Sequence, residues 1–407
     1  MKKYKISLIA FLLILLSVQA CSNDSLINST QNKGTVRAED IRAEYEYYLK
    51  EVKRLPKTVI DSELSKIKYD VSFYKVTYDA TDPFGATKRL SGLVGIPNLS
   101  KEDKSKLFSI VSIQHGTLVY EAQAPSNIKF EKGKLTRDAL TILSAAHTNG
   151  YIVVMPDYFG YGSDEENVHY YETGTSLAEA TRKLIEAIPD LAKEKSVNID
   201  LSKLFLFGYS EGGFATMSTL KSFSEHPTSY KNIITVSGAG AYDKVATAKH
   251  VTSQKGGNSP QFTASYLWVL LTYNSVYGIN RDLHQMLLPA IVPKVKKYVG
   301  TDKIMQSQNI PSDPSKIFAP LFVEGLIKET DNDYIKALMD NNVSDFDALG
   351  SVILVHGMQD TWVPTFNTDS AFVRLQKRGV DVKTKYIEGG THSSSYTGFI
   401  MKALETL

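Results

Sequence analysis

Residues 204–214 read Leu204-Phe205-Leu206-Phe207-Gly208-Tyr209-Ser210-Glu211-Gly212-Gly213-Phe214. The first four are apolar without interruption, the pattern of a strand buried on both faces of a parallel sheet. Further on, Phe214, Met217, Leu220 and Lys221 fall at helical spacing, and the run ends near His226-Pro227. A serine is therefore held in a sharp turn between a buried strand and a helix. Such a turn needs small neighbours, and Gly208, Gly212 and Gly213 let strand and helix approach while the Ser210 hydroxyl stands exposed. The N–H of Glu211, at the helix N-terminus, is placed to meet developing negative charge. Ser210 is the candidate nucleophile; the bland alternative is a serine in a glycine-rich turn.

A serine hydroxyl is a poor nucleophile until a base takes its proton. Of eight histidines, His392 stands out, in the loop Glu388-Gly389-Gly390-Thr391-His392 after an expected strand Val382–Ile387 and ahead of a final helix. A carboxylate should orient its ring. Asp360 closes His356-Gly357-Met358-Gln359-Asp360, directly after the apolar run Val352-Ile353-Leu354-Val355. His356 precedes the acid and reads as structural. Ser210, Asp360 and His392 each follow an expected strand, so all three can meet at one edge of a parallel sheet.

The order Ser210, Asp360, His392 resembles that of the α/β-hydrolase superfamily, and the chain is similar to its esterase and secretory-lipase branch. The strings that carry this are His115-Gly116, Gly208-Tyr209-Ser210-Glu211-Gly212-Gly213, His356-Gly357 with Asp360, Gly390 with His392, and Met155-Pro156-Asp157-Tyr158-Phe159-Gly160-Tyr161-Gly162. The resemblance runs from about Asp70 to the end. It implies a mostly parallel eight-stranded sheet flanked by helices, and hydrolysis of carboxylic esters through an acyl-enzyme. It also implies an oxyanion hole built from the N–H groups of Glu211 and Thr117, with His115 and Gly116 shaping the loop after the strand Phe108–Ile113. No metal or cofactor is called for.

The remaining expected strands are Val71–Tyr78, Arg89–Ile96, Tyr151–Met155, Leu204–Phe207 and Ile233–Val236. Helices are expected near Arg137–Thr148, Ser176–Lys193 and Glu211–Ser224. Residues 242–347 are too long for a loop. In the fold implied by the resemblance, an insertion there forms a helical cap, with helices at Gln261–Tyr277, Asp282–Tyr298 and Asp331–Asn341. Tyr266, Trp268, Tyr273 and Tyr277 either line a substrate pocket or pack the cap's own core.

The single cysteine among 407 residues is Cys21. It follows a basic start, Met1-Lys2-Lys3-Tyr4-Lys5, and an apolar stretch from Ile6 to Val18, the pattern of a secretory signal over residues 1–20. The ending resembles the lipobox of bacterial lipoproteins, which implies lipidation of Cys21, a membrane anchor and a cell-envelope location, the outer membrane first. Residues 21–36, rich in Ser, Asn and Thr, read as a flexible tether. Residues 37–69 form an N-terminal helical segment with a helix over Arg37–Arg54, and the catalytic domain spans 70–407. Without residues 1–20 the charges are 43 basic against 44 acidic, a net of −1, which gives no electrostatic case for nucleic acid. The partner implied is a small-molecule, lipid or glycan ester. Two rivals stay open. A peptidase of the prolyl-oligopeptidase type shares the residue order, but residues 21–69 are too few for its usual extra domain. A hydrolase-fold lipoprotein that only binds lipid or glycan would have no need of all three groups.

Overall fold

The computed structural model describes residues 25–47, 49–50, 54, 56–129, 150–256, 259–301, 303–307 and 309–407. The expectations for the signal at 1–20, for Cys21 and for the helix near Arg137–Thr148 lie outside these residues.

One sheet organises the chain. Its strands are β1 (Ile27–Val36), β2 (Val71–Thr81), β3 (Thr87–Pro97), β4 (Leu107–Gln114), β5 (Ile152–Pro156), β6 (Asn198–Tyr209), β7 (Asn232–Gly238), β8 (Ser351–Gly357) and β9 (Asp381–Ile387). Their order is β1-β2-β3-β5-β4-β6-β7-β8-β9. Pairing is antiparallel from β1 to β5 and parallel from β5 to β9. The chain steps outward from β4 to β5, then returns across β4 to β6, so strand order reverses beside β4. Loops leaving the carboxyl ends of β4 and β6 part there and open a crevice between them.

The period of two along β6 divides the core. Leu204 and Leu206 pack with Leu184, Ile188 and Leu220 of the helices Gly174–Glu194 and Glu211–Glu225. Phe205 and Phe207 turn to the opposite face, with Ile41 and Tyr45 of Ala38–Tyr47 and Phe399 of Tyr396–Leu404. The eight expected strands all form, and β1 is a ninth among the described residues. This corrects the tether: Ile27–Val36 pairs along β2 from Tyr78 to Val71. Its polar residues serve the ladder, with Ser29 Oγ 2.7 Å from Thr77 Oγ1, Thr35 Oγ1 2.9 Å from Ser72 Oγ, and Asn28 Nδ2 donating to Asp79 Oδ1 at 2.7 Å. An edge strand needs backbone pairing more than apolar side chains.

A second correction concerns Asp282–Tyr298. Instead of one helix there are two short ones, Leu283–Met286 and Val292–Lys296, separated by a bridge from Leu287 to Phe318. Pro289 and Pro293 cannot donate the N–H a continuous helix requires. The flanking expectations match helices Pro260–Val276 and Asn332–Asp340. All of these lie between β7 and β8, and they build a separate core around Phe262, Leu267, Trp268 and Tyr273.

Candidate functional site

Ser210 sits between β6 and the helix Glu211–Glu225 with φ 62° and ψ −126°, a conformation L residues rarely hold and one that stores about 1–3 kcal/mol of strain. Its neighbours enforce it. Ser210 N–H donates to Gly238 O at 2.9 Å, and Ser210 O accepts from Phe214 N–H at 3.1 Å. A Cβ on Gly208 would stand 2.1 Å from Gly212 O, and one on Gly212 would stand 2.1 Å from Gln114 O. No side chain fits at either position, so the glycines fix how closely helix, β6 and the end of β4 meet.

Three loops then bring the candidate residues together. His392 Nε2 is 2.9 Å from Ser210 Oγ, and His392 Nδ1 is 2.7 Å from Asp360 Oδ2. Asp360 Oδ1 also accepts from the N–H groups of Trp362 and Val363, each at 2.8 Å. A carboxylate flanked by donors takes the Nδ1 proton in its hydrogen bond, which leaves the Nε2 lone pair for the serine hydroxyl. Burial pushes the Asp360 carboxyl up, but hydrogen bonds from His356 and His392 outweigh it and hold the group well below the usual carboxylate range. His356 is fully buried, with Nδ1 2.7 Å from Thr368 Oγ1 and Nε2 2.8 Å from Val363 O. It braces the acid loop and does not approach the serine.

The His392 loop is held by residues that sequence reading passed over. Tyr209 donates its hydroxyl to His392 O at 2.6 Å, and Trp362 stacks on the imidazole at 5.9 Å between ring centres. Tyr209 was visible as the residue before the serine, but nothing in the string signals where its hydroxyl goes.

The loop after β4 carries His115, Gly116 and Thr117. His115 Nδ1 lies 2.8 Å from Gly116 O and Nε2 lies 3.2 Å from Asp157 O, while burial holds its pKa below the ordinary value. Asp157, fully buried, accepts from Ser91 Oγ at 2.6 Å and from Ser126 N–H at 2.8 Å. The Pro-Asp-Tyr run thus clamps the loop from behind. Thr117 Oγ1 is 2.9 Å from Tyr171 Oη. His115, Gly116, Thr117, Ser210 and His392 line one cleft of about 640 Å³. Ile113, Leu118, Val119, Ile128 and Met155 make much of its wall, and Gln261 and Met305 face it from between β7 and β8.

The four aromatics of the inserted helices have interior tasks. Trp268 stacks on Tyr171 at 4.2 Å and 6°, and Tyr273 donates to Glu172 O at 2.8 Å. Tyr266 donates to Trp362 O at 3.0 Å, and Tyr277 Oη accepts from Asn341 Nδ2 at 2.6 Å. None of them lines the cleft at Ser210. Behind the serine lie two buried pairs of titratable side chains, Glu211 with His169 at 2.7 Å and Glu172 with Lys244 at 2.5 Å. His169 and Glu172 fall in an aromatic loop without periodicity, so no sequence signal pointed to them.

Comparison with known proteins follows the same lines. Residues 123–255 match the family model for secretory lipase. No curated protein matches the chain in sequence. Among solved structures, a putative hydrolase from Legionella pneumophila is 24% identical with a TM-score of 0.76, covering 93% of this chain and 96% of that one. The rice cell wall degrading esterase LipA from Xanthomonas oryzae is 20% identical with a TM-score of 0.73, covering 93% and 95%. Candida antarctica lipase A is 14% identical with a TM-score of 0.61, covering 93% and 82%. The chain has the α/β-hydrolase fold that these structures share.

Proposed function

We propose that this chain is a serine-dependent hydrolase of carboxylic esters. The observation that carries the reading is the hydrogen-bonded line from Ser210 Oγ through His392 to the buried Asp360. His392 takes the proton of Ser210 as the hydroxyl attacks the ester carbonyl. Asp360 keeps the imidazole in the tautomer whose Nε2 can accept, and it stabilises the imidazolium that forms. The N–H groups of Glu211 and Thr117 hold the oxyanion; one such donor is worth about 3–4 kcal/mol of transition-state stabilisation. His392 then protonates the departing alcohol and activates water to release the acyl group. The apolar wall of the cleft suits a hydrocarbon acyl chain over a charged one. The match to secretory lipase and the esterase and lipase structures of the same fold support this reading.

The test is hydrolysis of p-nitrophenyl esters from acetate to palmitate, beside Ser210→Ala and fluorophosphonate labelling. Turnover should fall by about 10³-fold or more in a variant that still folds, and labelling should vanish. Full turnover in Ser210→Ala would sink the reading. Delivery by the 1–20 signal and a lipid on Cys21 belong to the same proposal. A labelled fatty acid taken up by the wild type and not by Cys21→Ser checks them.

A further inference from the structure

Glu211 occupies an awkward place. Its N–H is the proposed donor to an oxyanion, yet its own carboxylate is buried just beneath, 1% exposed. In a medium of low dielectric an uncompensated carboxylate there would oppose the charge the N–H is meant to stabilise. The hydrogen bonds of His169 resolve the conflict. Its Nδ1 is 2.8 Å from Phe159 O, and its Nε2 is 2.7 Å from Glu211 Oε1. A carbonyl oxygen only accepts, so Nδ1 carries a proton; a second proton lies between Nε2 and Oε1. Wherever that second proton rests, the pair is neutral as a whole.

Other titratable groups face the pair, but none of them bonds to the Glu211 carboxylate as His169 does. Lys244, opening the helix Lys244–Ser253, pairs with Glu172 of the loop before Gly174–Glu194, so those two cancel. Burial draws Lys244 down and Glu172 up, each opposed by the other. His115 also faces Glu211; burial draws its pKa down, against the Gly116 and Asp157 carbonyls and the Glu211 carboxylate that hold it up. Tyr158 and Tyr171 are phenols that burial keeps protonated. Tyr158, Tyr161, Tyr171 and Trp268 surround the His169 ring at centre distances of 4.8–6.0 Å. Without the His169 proton, the Glu211 carboxylate would lose the partner bonded directly to it.

We infer that His169 is a positioning residue for the oxyanion hole, cancelling the Glu211 carboxylate so that the Glu211 N–H can meet negative charge unopposed. The inference rests on the ester-hydrolase reading and names a part of that site which the nucleophile, base and acid do not supply.

Three proteins test it: the wild type, His169→Gln, and His169→Gln with Glu211→Gln. The single variant keeps a donor toward the carboxylate but removes the charge balance. Its kcat on p-nitrophenyl butyrate should fall about ten- to a hundredfold with KM near the wild-type value. The acidic limb of its rate profile should move to higher pH, because an unbalanced carboxylate favours the imidazolium form of His392. Adding Glu211→Gln should recover most of the lost rate. A rate loss with no shift and no recovery would mean packing alone, and an unchanged rate would also overturn the idea. If His169→Gln does not fold, ¹⁵N NMR of the histidine-labelled wild type decides. Nδ1 of His169 should carry a proton hydrogen-bonded to Phe159 O, and a proton should be shared between Nε2 and Glu211. An unprotonated Nδ1, or an Nε2 with no proton toward Glu211, overturns it. Should the wild type cleave no ester and refuse fluorophosphonate, the hydrolase reading fails, while the NMR result still judges the pair.

Discussion

Asp360 stays ionised in a place where burial alone would protonate it, with its side chain 0% exposed. Two backbone N–H groups and His392 donate to it, and His356 Nε2 stands 3.4 Å away. Asp360→Asn keeps the shape and removes the charge. An amide presents its own N–H to one side, so His392 loses the acceptor that fixed its tautomer. We expect kcat for ester hydrolysis to drop by about 10³- to 10⁴-fold with little change in KM. The same residue sets an acid limit on stability. Its folded pKa lies below the unfolded one, so its stabilisation is complete above the ordinary carboxylate pKa of about 4 and drains away as pH falls below it. Melting curves of wild type and Asp360→Asn should therefore differ most near neutrality and converge in acid. A gap that widened in acid would contradict the assignment of the carboxylate as the charged partner.

The element that decides the site is β6 with its turn and the helix Glu211–Glu225. Gly212→Ala tests it, because the new Cβ would meet Gln114 O at 2.1 Å and His115 O at 2.8 Å. Those are backbone atoms at the end of β4, so relief requires the His115–Thr117 loop to move. Overpacking of this kind costs about 1–3 kcal/mol in urea unfolding. The loss in kcat should exceed what the unfolded fraction explains, since the loop lines the cleft. β6 was legible because Leu204–Phe207 is apolar on both faces, and the turn because it needs glycines at fixed spacing. β1 was not, since Ile27–Val36 makes its ladder with hydroxyl and amide side chains whose partners lie on another strand. That Ser210, Asp360 and His392 lie side by side was readable from chain order and loop position. His169, Glu172, Lys244 and Trp362 were not, because their roles come from contacts 42 to 101 residues away in the chain or from a ring stacked across a loop.

At the scale of the molecule, the sheet and the helices between β7 and β8 have separate apolar cores, and polar contacts join them. Lys244 reaches Glu172 with both side chains buried, Tyr273 donates to Glu172 O, and Gly174 N–H donates to Asn341 Oδ1 at 2.7 Å. Lys244 also lies 3.7 Å over the ring of Phe214, on the helix that starts at the serine turn. The same cation therefore holds the inserted helices to the sheet and touches the element carrying Ser210. Lys244→Met leaves Glu172 buried without its partner, which costs about 3–5 kcal/mol. Replacing both, as Lys244→Met with Glu172→Met, removes the orphaned charge and should recover most of that loss, because two desolvated charges return little net stability over apolar side chains of similar size. Urea unfolding of the two variants separates the possibilities. A double variant as unstable as the single would mean that the inserted helices depend on the ion pair itself. Recovery of stability without recovery of kcat would instead place the pair's contribution in the electrostatics beneath the serine turn.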